Sequence, residues 1–399
     1  SCNAERFCLI PSYRQRFNEG WSAEKYTRFL DLIGQCCGEA PPFRHSETPC
    51  FFPQSFVNRV AQYGREMVEQ LLRNPRYQED SKKAIPPAFR APSEDPVPLF
   101  VQADFGIDEN LEPKLVEIQG FPSLYAYQPF LARSYREAFQ IGSELSNFPD
   151  DLDEDRYHKL IKEAIVAGHD PETVILMEID PAAQKTRCDF LLTEKLYGVR
   201  AVDIREIQKQ RNRLFYKRDG KLAPIHRIYN RTIADELMRR EISIPFDFRD
   251  ELQVEWAGHP NWFFRLSKFS LPYIRHPALP ATLFLDEVDD MGDPARYVLK
   301  PLYSFAGLGV IVSPTREQID EIPTERRREY ILQERIDFKP VIETPHGPTK
   351  FELRIMYVWQ NGLRFVNTIV RMGRGAQMGV DHNKNLEWVG ASAAFFASE

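Results

Sequence analysis

No run of about eighteen or more apolar residues occurs anywhere in this chain, so the sequence offers no membrane-spanning helix. Basic charge is not in excess either. Fifty-two Lys and Arg face 58 Asp and Glu, the net charge is -6, and the basic residues are spread along the whole length. That excludes the electropositive footprint of a nucleic-acid-binding domain. Cysteine is sparse. Cys2, Cys8, Cys36, Cys37, Cys50 and Cys188 form no CxxC pair and have no His at zinc spacing. The adjacent Cys36-Cys37 pair makes a poor disulfide framework, so buried free thiols are expected. The opening residues SCNAERFCLIPSYRQRF have too short an apolar core for a signal peptide, which points to a cytoplasmic protein. Neither GxxxxGK[ST] nor GxGxxG is present, which excludes a P-loop and a Rossmann turn. No internal repeat or low-complexity tract is found.

With 399 residues, the chain exceeds one ordinary core and fits two or three packed subdomains. A hydrophobic share of 43% and a charged share of 28% describe a globular protein. Over residues 22–36 the apolar residues Tyr26, Phe29, Leu30 and Ile33 recur at helical intervals. Ser55 is placed to cap a second helix carrying Phe56, Val60, Met67 and Leu71. The proline-rich stretch 74–98 reads as a mobile loop. After residue 127 a helix is expected to about 146, and then helix and strand alternate: helix 157–166, strand 173–177, helix 188–197 stopped by Gly198, strand 201–204. Such alternation predicts a small parallel α/β unit. A hairpin follows, turning at Asp219-Gly220.

Chemistry concentrates in two places. Residues 101–122, VQADFGIDENLEPKLVEIQGFP, alternate apolar and polar residues on both sides of a turn at Asp108-Glu109-Asn110, the pattern of a hairpin. A period of two puts Glu117 and Gln119 on one face, and with Asp104 three oxygen donors converge. Such a set suits Mg²⁺, a hard cation that keeps places open for phosphates; an ordinary surface hairpin with solvated acids would read the same way. The second place is YVLKPLYSFAGLGVIV at 297–312. Lys300 ends an apolar strand, and the loop 304–309 offers a hydroxyl and two glycines, Gly307 and Gly309, whose backbone can approach phosphate oxygens.

These motifs together resemble the ATP-grasp superfamily of ATP-dependent carboxylate ligases. Its first lysine and the Leu-Pro-x-Thr after it are matched by Lys268 and Leu279-Pro280-Ala281-Thr282. Its second lysine motif is matched by Lys300-Pro301 and Gly307-Leu308-Gly309-Val310. The hinge strand that holds adenine is matched by Ile331-Leu332-Gln333-Glu334, with Ile336 beyond it. Glu352-Leu353-Arg354 matches an acid-x-arginine strand, and Arg371 a substrate-facing arginine. The metal motif usually ends such chains, but here it comes early: Asp104, thirteen residues on Glu117-Ile118-Gln119, then Pro122. That order is similar to the circularly permuted members, including the synthetase domain of glutathionylspermidine synthase. Gln119 stands where the family usually has Asn, and Gln102 where many relatives have Arg, which leaves more for Arg354 or Arg371 to do.

The resemblance implies an α+β chain with an ATP-grasp fold, two α+β lobes clasping ATP. Its parts are a helical N-terminal portion (1–97), the permuted metal hairpin and following helix (98–150), a small α/β pre-ATP-grasp subdomain (151–235), a nucleotide lobe (236–336) and a central lobe (337–399) packing with 98–130. It implies Mg²⁺ on Asp104, Glu117 and Gln119, and ATP on Lys268, Lys300, Ser304, Gly307, Gly309, Gln333, Glu334 and Ile336. Arg354 and Arg371 would be catalytic. The implied activity joins small-molecule carboxylate and amine substrates through an acyl phosphate, with no nucleic-acid or membrane partner. A noncatalytic nucleotide-binding relative is the alternative. Asn230-Arg231 resembles the family's strand end near the substrate. His276 and His382 are acid-base candidates without a visible partner.

Overall fold

The computed structural model describes residues 9–38, 42–304, 308–383 and 385–398. Its architecture is mixed α+β, with five sheets of three to five strands and helices packed against them. Alternation in the hairpin segment sets the centre. In the Phe100–Ile107 strand, Val101, Ala103, Phe105 and Ile107 all enter one apolar core with Val57, Val60, Leu353 and Ile355. Gln102 and Asp104 therefore lie on the opposite face, and both are buried.

This strand sits inside a five-stranded antiparallel sheet, in the order Gly390–Ser392, Leu363–Gly373, Lys350–Trp359, Phe100–Ile107, Pro113–Gln119. Register puts Asp104 opposite Arg354 on one side and opposite Glu117 on the other, and Gln102 opposite Gln119. The next pairing skips from Glu117 to Leu115, so Val116 is an extra residue, a β-bulge. Under the sheet runs the Gln54–Arg73 helix, where Tyr357 donates to the Ala61 carbonyl at 2.7 Å. A Cβ at Gly64 would lie 2.2 Å from the Tyr357 hydroxyl, so only glycine allows this approach.

Two further sheets flank the centre. Thr282–Phe284, Tyr330–Glu334, Tyr297–Pro301 and Ile311–Val312 form an antiparallel sheet over a small core of Leu285, Leu299, Ile319 and Leu332. Glu255–Ala257, Arg227–Asn230, Val174–Glu178 and Arg200–Asp203 form a wholly parallel sheet. The Glu154–Val166 and Arg187–Tyr197 helices cover it, capped by Asp153 at the first and stopped by left-handed Gly198 at the second.

Four expectations are corrected. The stretch after Asn74 is not all loop: Pro75–Lys83 is a helix, capped by the Asn74 side chain. Farther along the same stretch Glu94 pairs with buried Arg265, whose guanidinium also holds Gln78 and Ser81. Ser55 lies inside its helix, and Pro53 stands at the N-cap position without a side-chain hydrogen bond, because the Cys50–Pro53 strand runs straight into the helix. The helix from Tyr127 ends at Phe139, where Gln140 turns left-handed. Finally, Cys37 and Cys188 form a disulfide, Cys50 is a buried free thiol and Cys36 a half-buried one. Cys2 and Cys8 lie outside the described residues. Helix packing, not local spacing, brings Cys37 and Cys188 together.

Candidate functional site

The polar face of the five-stranded sheet carries a lattice of charges. Arg354, held opposite Asp104 by the strand ladder, donates from Nε to Oδ1 at 2.5 Å and from Nη2 to Oδ2 at 2.7 Å. Arg371, opposite Glu352, donates to both Asp104 Oδ2 and Glu352 Oε1. Arg354 also reaches Gln102 Oε1 at 3.2 Å and stands 3.9 Å from Glu117 Oε1. Gln119 donates to the same Gln102 oxygen at 3.0 Å, and Gln102 donates to the Ser123 carbonyl at 2.7 Å. Burial alone would raise the pKa of Asp104, but the Arg354 and Arg371 charges outweigh it and hold the carboxyl well below its ordinary value. For Glu352 burial prevails over Arg371, and Asp104 and Glu117 add repulsion, so its pKa is raised. Arg371 is pushed upward: burial opposes its charge, and Glu352, Asp104 and Glu117 more than offset that.

Beside this lattice stand two buried lysines. Lys300 ends the Tyr297–Pro301 strand region and donates to Gln333 Oε1 at 2.6 Å and to the Val116 carbonyl at 2.8 Å. The bulge explains the second bond, because it takes the Val116 carbonyl out of the regular ladder. Lys268, at the first position of a short 3₁₀ segment capped by Ser267, donates to the Ser304 carbonyl at 2.5 Å and lies 3.9 Å from Glu117 Oε2. Burial pushes the Lys300 ammonium down to about 8, with Glu117 opposing and Lys268 assisting. Lys268 is lowered for the same first reason, again with Glu117 opposing. A cavity beside them is lined by Glu117, Gln119, Phe121, Phe263, Lys268 and Ser304.

The structure thus gathers Asp104, Glu117, Gln119, Arg354 and Arg371 on one face, with Lys268, Lys300, Ser304 and Gln333 next to it. Other expected positions are less central. Gly309 is exposed, with φ +74, and a Cβ there would lie 2.9 Å from Pro301 Cγ. Glu334 meets Arg296 at 3.4 Å, and Ile336 is half-buried beyond the strand. Gly307 lies outside the described residues. His276 pairs with Glu66 at 3.0 Å, and His382 is exposed. Sequence reasoning names Glu352 only within the acid-x-arginine strand and gives it no role, although its place two positions before Arg354 puts it on the same face.

Whether the implied ligands fit can be judged from these groups. An anionic group suits this place: two buried cations converge, and Tyr303 Oη, Ser304 Oγ and Gln333 Nε2 are buried polar atoms with no hydrogen-bond partner among the described residues. Magnesium does not fit the trio of Asp104, Glu117 and Gln119 as arranged. Asp104 Oδ1 accepts from Arg354 and Oδ2 from both Arg354 and Arg371, so an ion on this carboxylate would have to displace or face two fixed positive charges. Among the described residues, no group of three His, Cys, Asp or Glu is placed to hold a metal ion.

No protein-family description and no curated protein matches the chain. Among solved structures, it is similar to a glutathione synthetase-like effector (GSS30) from Globodera pallida, with TM-score 0.59 and 12% sequence identity, covering 98% of this chain and 100% of that one. At that identity the likeness is one of fold.

Proposed function

We propose that this chain is an ATP-grasp protein that binds ATP with its phosphates on Lys268 and Lys300. The observation that carries this reading is the convergence of the two buried ammonium groups beside the bulged hairpin. Their nearest carboxylate, Glu117, stands at ion-pair distance from Lys268 only, and desolvation lowers both pKa values. A buried cation with so little counter-charge is costly, and an anionic ligand supplies what is missing. The overall likeness to a glutathione synthetase-like effector supports the fold part of the proposal. ATP, when bound, brings a phosphoryl group that can be transferred.

A second reading is favoured by Arg231. This buried side chain follows the Arg227–Asn230 strand at the carboxyl edge of the parallel sheet, where ligands of such sheets bind. It donates to the Pro122 carbonyl and lies over Phe121, 4.9 Å from the ring centroid, while its Nε has no partner among the described residues. A guanidinium so placed suits a substrate carboxylate. On this reading the protein is an ATP-dependent ligase joining a small carboxylate to an amine through an acyl phosphate. A cytoplasmic location belongs to the proposal too. One observation opposes it: a reducing compartment would keep the Cys37–Cys188 bond open. Among the described residues no helix is long and apolar enough to cross a membrane.

Titration calorimetry with a nonhydrolysable ATP analogue tests the first reading. The wild type is expected to bind, and Lys300→Ala to weaken binding at least tenfold. A wild type that does not bind removes the proposal. Incubation with ATP, mixed amino acids, polyamines and glutathione tests the second: ADP together with a new amide mass supports ligation, and ADP without an amide refutes it.

A further inference from the structure

We propose that Arg354 is the built-in cation of this site, standing where a divalent metal would bridge Asp104 and Glu117, so that the site takes the phosphate end of a nucleotide without a metal ion. The inference rests on the nucleotide-binding reading for its ligand, but not for its geometry. The Arg354 guanidinium donates to both oxygens of Asp104, at 2.5 and 2.7 Å, and to Gln102 Oε1 at 3.2 Å, and stands 3.9 Å from Glu117 Oε1. Its position is set by the ladder that pairs Arg354 with Asp104, not by a flexible loop.

A guanidinium cannot lose its charge at accessible pH, and its fork matches a carboxylate edge. To enter, a metal would have to break this bidentate pair and also the contact from Arg371, in a place from which water is nearly excluded. Taking one partner out of a buried ion pair leaves the other charge uncompensated and is strongly unfavourable. Gln119 donates through its amide nitrogen, not through its oxygen, to Gln102 Oε1, which is the common acceptor of Gln119 and Arg354. Four cations (Lys268, Lys300, Arg354, Arg371) stand with Asp104, Glu117 and Glu352, the Asp235 charge also acts on Lys268, and burial raises the pKa of Glu352, which lessens the negative charge an anion would meet. Arginine as the counter-charge to phosphates needs no coordination geometry, which frees the site from the oxygen set that Mg²⁺ demands.

Two measurements on the full chain decide it. Mn²⁺ alone, titrated by electron paramagnetic resonance, is expected to show no site tighter than millimolar in the wild type. The ATP analogue is expected to bind with affinities within twofold in EDTA and in Mg²⁺, and Arg354→Ala, if its circular dichroism matches the wild type, to lose at least tenfold in EDTA. Submillimolar Mn²⁺ binding that Asp104→Asn abolishes would overturn the inference, as would a tenfold or greater gain in nucleotide affinity with Mg²⁺; either result leaves nucleotide binding standing. If the analogue binds under neither condition, the nucleotide reading fails, and the Mn²⁺ titration still decides whether Arg354 holds the metal's place. Should Arg354→Ala not fold, the wild-type titrations are sufficient to support or overturn the inference.

Discussion

Lys300 combines two facts that bear on pH. It is buried, so desolvation brings its pKa down to about 8, and it points at a carbonyl and an amide oxygen, with no carboxylate within hydrogen-bond reach among the described residues. Bound phosphate favours the charged ammonium, so near pH 8 ligand binding takes up a proton that the free protein partly lacks. Affinity for an ATP analogue should therefore fall as pH rises from 7 to 9, approaching about tenfold per unit above pH 8. Calorimetry in buffers of different ionisation enthalpy would show the proton uptake, and Lys300→Ala should flatten the pH dependence. An affinity constant from pH 7 to 9 would mean that Lys300 does not meet the ligand. The sequence marks Lys300 by its place at a strand end; it cannot show that Val116 is bulged, because that depends on pairing between strands.

Among the elements, the Val174–Glu178 strand is legible as a short apolar run between turns, and it ends on an acid that bears a desolvation cost. Burial raises Glu178 to about 8 from an ordinary 4.5; Arg231 and the Ile179 N–H, which donates at 2.8 Å, oppose this, and the Glu236 and Asp203 charges add to it. The folded chain keeps a proton that the unfolded chain releases between those two values. This group's contribution to stability is therefore whole below pH 4.5 and is lost as pH rises through 8. Glu178→Gln should raise stability by roughly 2–4 kcal/mol at pH 8.5 and by little at pH 4. Thermal melts at the two pH values measure this, and equal shifts at both would refute it. By contrast the Pro75–Lys83 helix is not legible. Its sequence PRYQEDSKK is polar but for Tyr77, and the helix is fastened by tertiary bonds such as Tyr77 Oη to the Arg265 carbonyl at 2.6 Å.

At the scale of the whole molecule, distant segments close on one another. The Ala394–Ala397 strand lies between Cys50–Pro53 and Leu145–Ser146 as the middle of a three-stranded sheet. The Cys37–Cys188 bond joins the Ala23–Cys37 helix to the Arg187–Tyr197 helix across 151 residues. Next to Cys188, buried Asp189 accepts the Ala126 and Tyr127 amides at 3.0 and 2.9 Å, so the staple also holds the start of the helix that follows the hairpin. Closing so long a loop restricts the unfolded chain, and Cys37→Ser should cost up to about 5 kcal/mol. The check is chemical denaturation of the wild type with and without dithiothreitol beside the variant. Reduction should bring the wild type down to the variant's stability, and no difference among the three would refute a structural role.

What the sequence determined alone are features encoded within a few residues. Period-two alternation marks the hairpin within 101–122, and helical spacing marks the Ala23–Cys37 and Glu154–Val166 helices, to which the structure adds Ser22 and Asp153 as caps. Local sterics and local hydrogen bonds decide such features, so neighbouring residues suffice to read them. Only the tertiary structure decided that Asp104 meets Arg354 and Arg371, 250 and 267 residues away, and that Cys37 meets Cys188. Strand register and helix packing set those meetings, and they make Asp104 the partner of two arginines. A carboxylate's chemistry depends on what neutralises its charge, and here the neutralising groups come from the far end of the chain.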